Sequence, residues 1–266
     1  MNSFLNYMGG KKYLAPFIVS FFPKHSCYCE VFGGAAWCLF DKSPIISETE
    51  IYNDINGELV NLFLQIKNNL RELQKKCFWL PSSRELYKKY LAFKPDSLDD
   101  IERAVRFLYC LKNSFSGQLV SGYSAGPTKT PSWNTKFVQS LGRIRKRLNN
   151  VVIENASFEK IIPQYDTPTT LFYLDPPYFV ANNTKYYEYV FTQEEHKLLR
   201  ELCTKIKGKF ILSYENTEEV RNFYKNFYIT KTPQVSIVSS TKKEKDKVSE
   251  LLISNFELKQ KQKELF

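Results

Sequence analysis

Histidine is nearly absent: the 266 residues contain only His25 and His196. Histidine-based triads and zinc sites are therefore poorly supplied. The six cysteines (Cys27, Cys29, Cys38, Cys77, Cys110, Cys203) make no CxxC pair and lie in apolar or helical surroundings. They read as reduced thiols, and no metal site is expected. No apolar run approaches the ~18 residues of a membrane span. The N-terminus MNSFLNYMGGKKYLAPF lacks the charged start and unbroken apolar stretch of a signal peptide. An intracellular, cytoplasmic chain without membrane contact is expected. A GxGxxG dinucleotide fingerprint is also missing, which argues against a Rossmann dehydrogenase.

Apolar residues make up 43% of the chain, enough for one large core or a core carrying an insertion. Charge is unevenly spread. Residues 57–150 hold 17 Lys and Arg against 7 Asp and Glu, an excess equal to the +10 of the whole chain. A segregated basic block attracts phosphate.

The two ends of the chain alternate strand with helix. SCYCEVF (Ser26–Phe32) has strand periodicity and runs into a small-residue turn, GGAAWCLF. IYNDIN follows from Ile51, VVIEN from Val151, TLFYLD from Thr170, KFILSY from Lys209 and ELLISN from Glu250. Thr192 with Glu195 forms a capping box that opens a helix bearing Leu198, Leu199, Leu202 and Ile206; another helix begins at Thr217. This rhythm predicts an α/β fold with a Rossmann-like, doubly wound, mostly parallel sheet. The catalytic part is assigned to residues 1–56 and 151–266. Residues 57–150 read as a helical insert. Leu59, Leu62, Phe63, Ile66, Leu70 and Leu73 keep one helical face, a helix starts at Asp99 with Glu102 three on, and Phe137–Leu148 forms a third. The last carries Arg143, Arg145, Lys146 and Arg147 on its other face. A Gly, Ser and Pro-rich loop, Asn113–Asn134, separates the second and third. The Lys242–Lys247 charge run reads as solvated surface.

Four features fall at carboxyl ends of strands, where doubly wound sheets bind ligands. They are NYMGGKK (Asn6–Lys12, with Gly9 and Gly10), EVFGGAA (Glu30–Ala36), Asp54, and Asp175-Pro176-Pro177-Tyr178. Glycines let backbone approach a ligand closely, and a carboxylate at Asp54 suits a ribose diol. At Asp175 an apolar strand stops on a carboxylate, and two prolines then remove consecutive backbone donors before Tyr178 presents a ring.

In this order the set resembles the Dam-type (D12 class) DNA adenine-N6 methyltransferases, across essentially the whole chain. The resemblance implies a class I methyltransferase fold using S-adenosylmethionine on double-stranded DNA, with the helical insert recognising the target. It implies a cofactor site lined by Tyr7, Lys11, Phe32, Gly33, Gly34, Asp54, Phe158 and Asp175. Lys11 would reach the methionine carboxylate and Phe158 would wall the cofactor adenine. Each also suits a structural role: Phe32 and Phe158 as core, Lys11 as surface, Asp54 as a turn cap. The catalytic group would be Asp175, Pro176, Pro177 and Tyr178. Two acceptors there favour a pyramidal amine nitrogen, while Tyr178 stacks on a flipped-out adenine; Phe179 is assigned to the core. Arg143, Arg145, Lys146 and Arg147 would hold phosphates, and Asn113, Gln118 and Asn134 carry amides suited to adenine edges. Ala36 stands where the family commonly has glycine; because Ala suits helix geometry, only a small packing change is expected. Tyr7 replaces the family's usual Trp. The rival readings are methylation of cytosine N4 or of RNA, and a silent DNA-binding module. Monomer or weak dimer, and an associated restriction endonuclease, are both left open.

Overall fold

The computed structural model describes residues 3–5, 7, 11–117, 122–124, 126, 130–178, 191–237 and 246–259. Asn6, Met8, Gly9, Gly10, Gln118, Phe179 and residues 242–245 lie outside them, so the expectations placed on those positions do too.

The described elements run α1 (Ala15–Val19), β1 (Cys27–Glu30), α2 (Trp37–Asp41), β2 (Thr49–Asn53), α3 (Gly57–Asn68), α4 (Leu70–Phe78), α5 (Arg84–Ala92), α6 (Asp100–Asn113) and α7 (Thr135–Leu148). They continue β3 (Val151–Glu154), α8 (Phe158–Tyr165), β4 (Thr170–Leu174), α9 (Gln193–Lys205), β5 (Lys209–Glu215), α10 (Glu218–Phe223), β6 (Tyr228–Lys231), β7 (Val235–Ile237), β8 (Asp246–Val248) and β9 (Glu250–Ser254). All six expected strands form. Capping boxes open α6 at Asp99 and α9 at Thr192, and Thr217 caps α10. The Leu59–Leu73 stripe is split between two helices at Asn69 (φ −123°, ψ 30°). Its side-chain amide bonds Gln65 Oε1 one turn back, the local competition with helix that asparagine offers.

Seven strands form one sheet in the order β3-β2-β1-β4-β5-β9-β6; β7 and β8 pair separately. Strands β1 to β5 pair in parallel, and β9 lies antiparallel between β5 and β6. The chain leaves β1 for β2 on one side and returns to β4 on the other. The carboxyl ends of β1 and β4 therefore flank the switch point, where a crevice opens in folds of this type.

Period-two alternation feeds both faces of the sheet. Tyr28, Tyr52, Tyr173, Ile211 and Leu252 join the core beneath α1, α2, α3, α4, α6 and α7. Cys29, Ile51, Phe172, Leu174, Phe210, Leu212 and Ile253 pack against α8, α9 and α10. The helices of residues 57–150 thus share one continuous core with the sheet. Among the described residues no helix is long and apolar enough to cross a membrane.

Candidate active site

At the end of β1 the chain bends sharply because two glycines permit it. A Cβ on Gly33 would lie 2.3 Å from Tyr52 Cε2 and 2.8 Å from the Asn53 carbonyl oxygen, so only glycine fits. Gly34 has φ +48°. Gly33 N donates to Asn53 O at 2.7 Å, and Tyr52 Oη donates to Gly34 O at 2.8 Å, which fastens the turn to β2. Ala36 also has φ +55°, at the N-cap of α2. The expectation that it sits in helix geometry is therefore corrected. It occupies the left-handed region, at a cost of roughly 1–2 kcal/mol relative to glycine's freedom there.

Asp54 follows β2 directly. Its Oδ2 accepts from Gly34 N at 2.7 Å and its Oδ1 from Asn56 N at 2.8 Å. It is the turn cap that its structural role implied, with Ile55 N as a third backbone donor to the carboxylate. Burial pushes its carboxyl above the usual range, against the backbone donors that pull it down. Asn53, not singled out in the sequence, ties the site together: its amide donates to Val31 O (2.8 Å) and Ala156 O (3.0 Å) and accepts from Ala156 N (2.9 Å). This places the loop before α8 beside the glycine turn, and with it Phe158. Phe158 is buried, Phe32 is half-buried, and their ring centroids lie 5.8 Å apart. Phe191, which sequence reasoning missed, completes a trio at 5.7 Å from Phe32 and 5.4 Å from Phe158. Tyr7 lies over the turn: its Cδ1 would be 3.6 Å from a Cβ on Gly34.

β4 ends as the sequence foretold, with Asp175, Pro176, Pro177 and Tyr178 leaving the sheet. Lys11 is not a surface residue; it is buried among them. Its Nζ lies 2.8 Å from Asp175 Oδ1 and 3.4 Å from Glu250 Oε2, and it donates to Tyr178 Oη at 2.7 Å. Lys11 thus faces the Asp175 cluster. Burial disfavours its charge, but Asp175, Tyr178 and Glu250 more than offset this, and its pKa stands well above the ordinary lysine value. The Asp175 carboxyl is pushed up to about 6, by burial first and by Glu250, against the pull of Lys11. Tyr178 leans on Tyr214 with centroids 5.6 Å apart.

The expected DNA-contacting residues separate into two groups. Arg143, Arg145 and Lys146 are exposed on α7, with Arg145 Nε donating to Lys67 O at 3.1 Å. Arg147 turns inward, pairing with Glu50 through Nη1 at 2.6 Å and Nη2 at 2.8 Å beside buried Lys42. Asn113 is buried, donating to Tyr109 O (2.9 Å) and accepting from Ser82 Oγ (3.1 Å). The expectations for Arg147 and Asn113 are corrected accordingly, because their polar groups are spent inside the protein. Asn134 is exposed but N-caps α7, accepting from Phe137 N at 2.9 Å.

A glycine turn, a strand-end carboxylate and an Asp-Pro-Pro-Tyr turn around one switch point define an amino-methyltransferase of the doubly wound α/β type. More narrowly, the chain belongs to the D12 class of N6 adenine-specific DNA methyltransferases, whose family model matches residues 7–237. It is 27% identical over 279 residues to the type II methyltransferase M1.LlaDCHI of Lactococcus lactis subsp. cremoris, covering 96% of each chain. It is 27% identical over 286 residues to the type II methyltransferase M.MjaIII of Methanocaldococcus jannaschii, covering 95% of this chain and 98% of that one. A DNA adenine methylase of Haemophilus influenzae is 26% identical over 268 residues, covering 94% of this chain and 92% of its own. The chain is an adenine-specific DNA methyltransferase.

Proposed function

We propose that this enzyme transfers the methyl group of S-adenosylmethionine to the N6 amine of an adenine flipped out of double-stranded DNA, with Asp175 as the essential acceptor. The observation that carries this reading is the placement of Asp175 and Tyr178 at the end of β4, across the switch point from the Gly33–Gly34 turn and Asp54.

The cofactor's residues fit. The Gly33–Gly34 turn is bonded directly to Asp54, whose carboxylate, with three backbone donors on about four acceptor sites, keeps capacity for a ribose hydroxyl. Phe32, Phe158 and Phe191 give an aromatic wall for a flat ring, and Tyr7 covers the turn. S-adenosylmethionine supplies a methyl group on a sulfonium that leaves readily.

The chain's own task is to make a poor nucleophile competent. The lone pair of an exocyclic adenine amine is delocalised into the ring. Asp175 and a carbonyl of the Pro176–Pro177 turn accept its two N–H groups, favouring a pyramidal nitrogen whose lone pair is free to attack. The prolines hold those acceptors in place, so little reorganisation is needed in the transition state. Tyr178 offers a ring for the extruded base to stack on, contributing about 1–3 kcal/mol. No strong general base is needed, because the alkylated amine is acidic, and this suits a chain with two histidines.

DNA is held by exposed cations: Arg143, Arg145 and Lys146 on α7, with Lys12 and Tyr13 exposed beside Lys11. Gln118 and Asn134 are proposed at base edges, Asn134 alongside its capping role. That two relatives carry type II in their names supports a restriction endonuclease with the same target site.

Methyl transfer from labelled S-adenosylmethionine to unmethylated genomic DNA, digested to nucleosides, is expected to give N6-methyladenine. Asp175→Ala is expected to reduce turnover by at least ~10²-fold, the scale of losing one preorganised transition-state partner, with the thermal unfolding midpoint preserved. Near-normal turnover by that variant would remove Asp175 from its assigned role.

A further inference from the structure

β9 is the one antiparallel strand in the seven-stranded sheet. Its direction has a consequence for the active site. The parallel strands deliver their last residues to the catalytic edge, whereas β9 delivers its first, Glu250, to that same edge opposite Glu215 of β5. Glu250 is fixed there by two backbone bonds: its N donates to Thr232 Oγ1 at 2.8 Å, and its O accepts from Thr232 N at 2.9 Å. The side chain is 13% exposed and points its Oε2 at Lys11, 3.4 Å away.

An ammonium has three N–H donors and no acceptor. Among the described residues, oxygens of Asp175 at 2.8 Å, Tyr178 at 2.7 Å and Glu250 at 3.4 Å surround Lys11 Nζ. Its nearest carboxylate is the one required by the reaction, so a cation sits on the acceptor that an amine N–H needs. We propose that Glu250 is a positioning residue for methyl transfer: by sharing the Lys11 ammonium that already touches Asp175, its carboxylate offsets the pull of that cation and keeps Asp175 a strong acceptor for an N–H of the adenine amine. The inference rests on the reading of Asp175 as the amine's acceptor. With Glu250 neutralised, the pull of Lys11 on Asp175 is less offset in a buried setting, which makes Asp175 a weaker acceptor. The other groups facing Asp175 are Tyr178 on its own turn, Tyr173 on β4, and Glu30 and Cys38 beneath. Among the described residues, Glu250 is the second carboxylate beside the Lys11 ammonium. Glu30 is pushed up to about 8, chiefly by burial.

Glu250→Gln keeps the shape and the Thr232 bonds and removes the charge. In the full-length enzyme kcat is expected to fall about tenfold, with KM for S-adenosylmethionine within about twofold of the parent. The acid limb of kcat moves to lower pH by ~0.5–1 unit, because a negative neighbour that raised the Asp175 carboxyl is gone. Glu250→Asp retains the charge at greater distance and shows a smaller shift in the same direction. A fall in kcat with an unmoved acid limb assigns Glu250 a structural role only and overturns the proposal, as does unchanged kcat. The Asp175 carboxyl is also titrated directly, by 13C NMR in parent and Glu250→Gln enzymes. Equal midpoints overturn the coupling even if turnover is undetected, whereas failure of the parent to methylate adenine counts against the role of Asp175 itself.

Discussion

At the scale of single residues, the glycine turn shows how much of a site rests on missing atoms. Gly33 is held between the ring of Tyr52 and the carbonyl of Asn53, and neither can retreat. The Tyr52 ring is stacked on Phe63 with centroids 4.2 Å apart, and the Asn53 carbonyl already accepts from Gly33 N. Gly33→Ala is expected to cost about 1–3 kcal/mol, the range for overpacking a filled site. Because the displaced backbone also carries Gly34 N away from Asp54, S-adenosylmethionine affinity should fall by more than tenfold. Thermal unfolding and calorimetric titration read the two effects, and unchanged affinity in a destabilised variant would separate the turn from the cofactor. The need for glycine here was legible in the sequence, since small residues after a strand mark close approach. The left-handed backbone of Ala36 was not, because nothing in an alanine announces a positive φ. The partners of Lys11 were not legible either: a lysine next to a lysine says nothing of what surrounds it, and only the sheet edge brings Asp175, Tyr178 and Glu250 around it.

At the scale of elements, α7 shows where periodicity stops informing. Its apolar stripe (Val138, Leu141, Ile144, Leu148) is buried as its spacing demands, and its basic residues fall on the remaining arc. Spacing cannot say which of those cations has a partner on another element. Arg147 meets Glu50 of β2, while Arg143 and Lys146 meet solvent. The two kinds should respond differently to removal. Arg147→Ala leaves Glu50 buried with Lys42 as its remaining counter-ion and is expected to cost roughly 1.5–3 kcal/mol of stability, the scale of a lost hydrogen bond to a charged group. Its effect on the salt dependence of DNA binding should be nil. Arg143→Ala should leave stability within about 0.5 kcal/mol and reduce the salt slope of DNA binding by about one contact. Chemical denaturation and binding titrations at several ionic strengths check both, and a reversed pattern would put Arg147 on the DNA. The sequence placed the strands well because each is a short apolar run bounded by polar turns. It missed β6 and α5, whose burial is slight: no residue of β6 is buried, and only Tyr87 of α5 is.

At the scale of the whole molecule, charge and core divide the chain differently. Residues 57–150 hold all of the net +10, which made them look like a separate body. The hydrophobic core does not respect that boundary, since Leu59, Phe63, Leu108 and Leu141 lie in one cluster with Tyr28, Tyr52 and Tyr173 of the sheet. A hydrophobic stripe shows that a helix has something to pack against but not whether that is a sibling helix or a sheet, so shared packing was invisible in the sequence. The functional consequence is that the basic helices are rigidly tied to the strands that end in Asp54 and Asp175. On the proposed reading, phosphate held on them would fix the duplex relative to the site, and binding energy gathered from the backbone would become positioning at the reacting atoms. Non-specific affinity should then be dominated by counterion release. A plot of log K against log salt is expected to be linear with a slope of about −0.9 per phosphate contacted, and with six or more contacts affinity falls by at least ~10³ between 50 and 200 mM. The same slope should appear on duplexes of unrelated sequence, because backbone contacts carry no sequence information. An affinity that stays flat over that interval would mean that the excess positive charge is solvated surface and that the duplex is held by other residues.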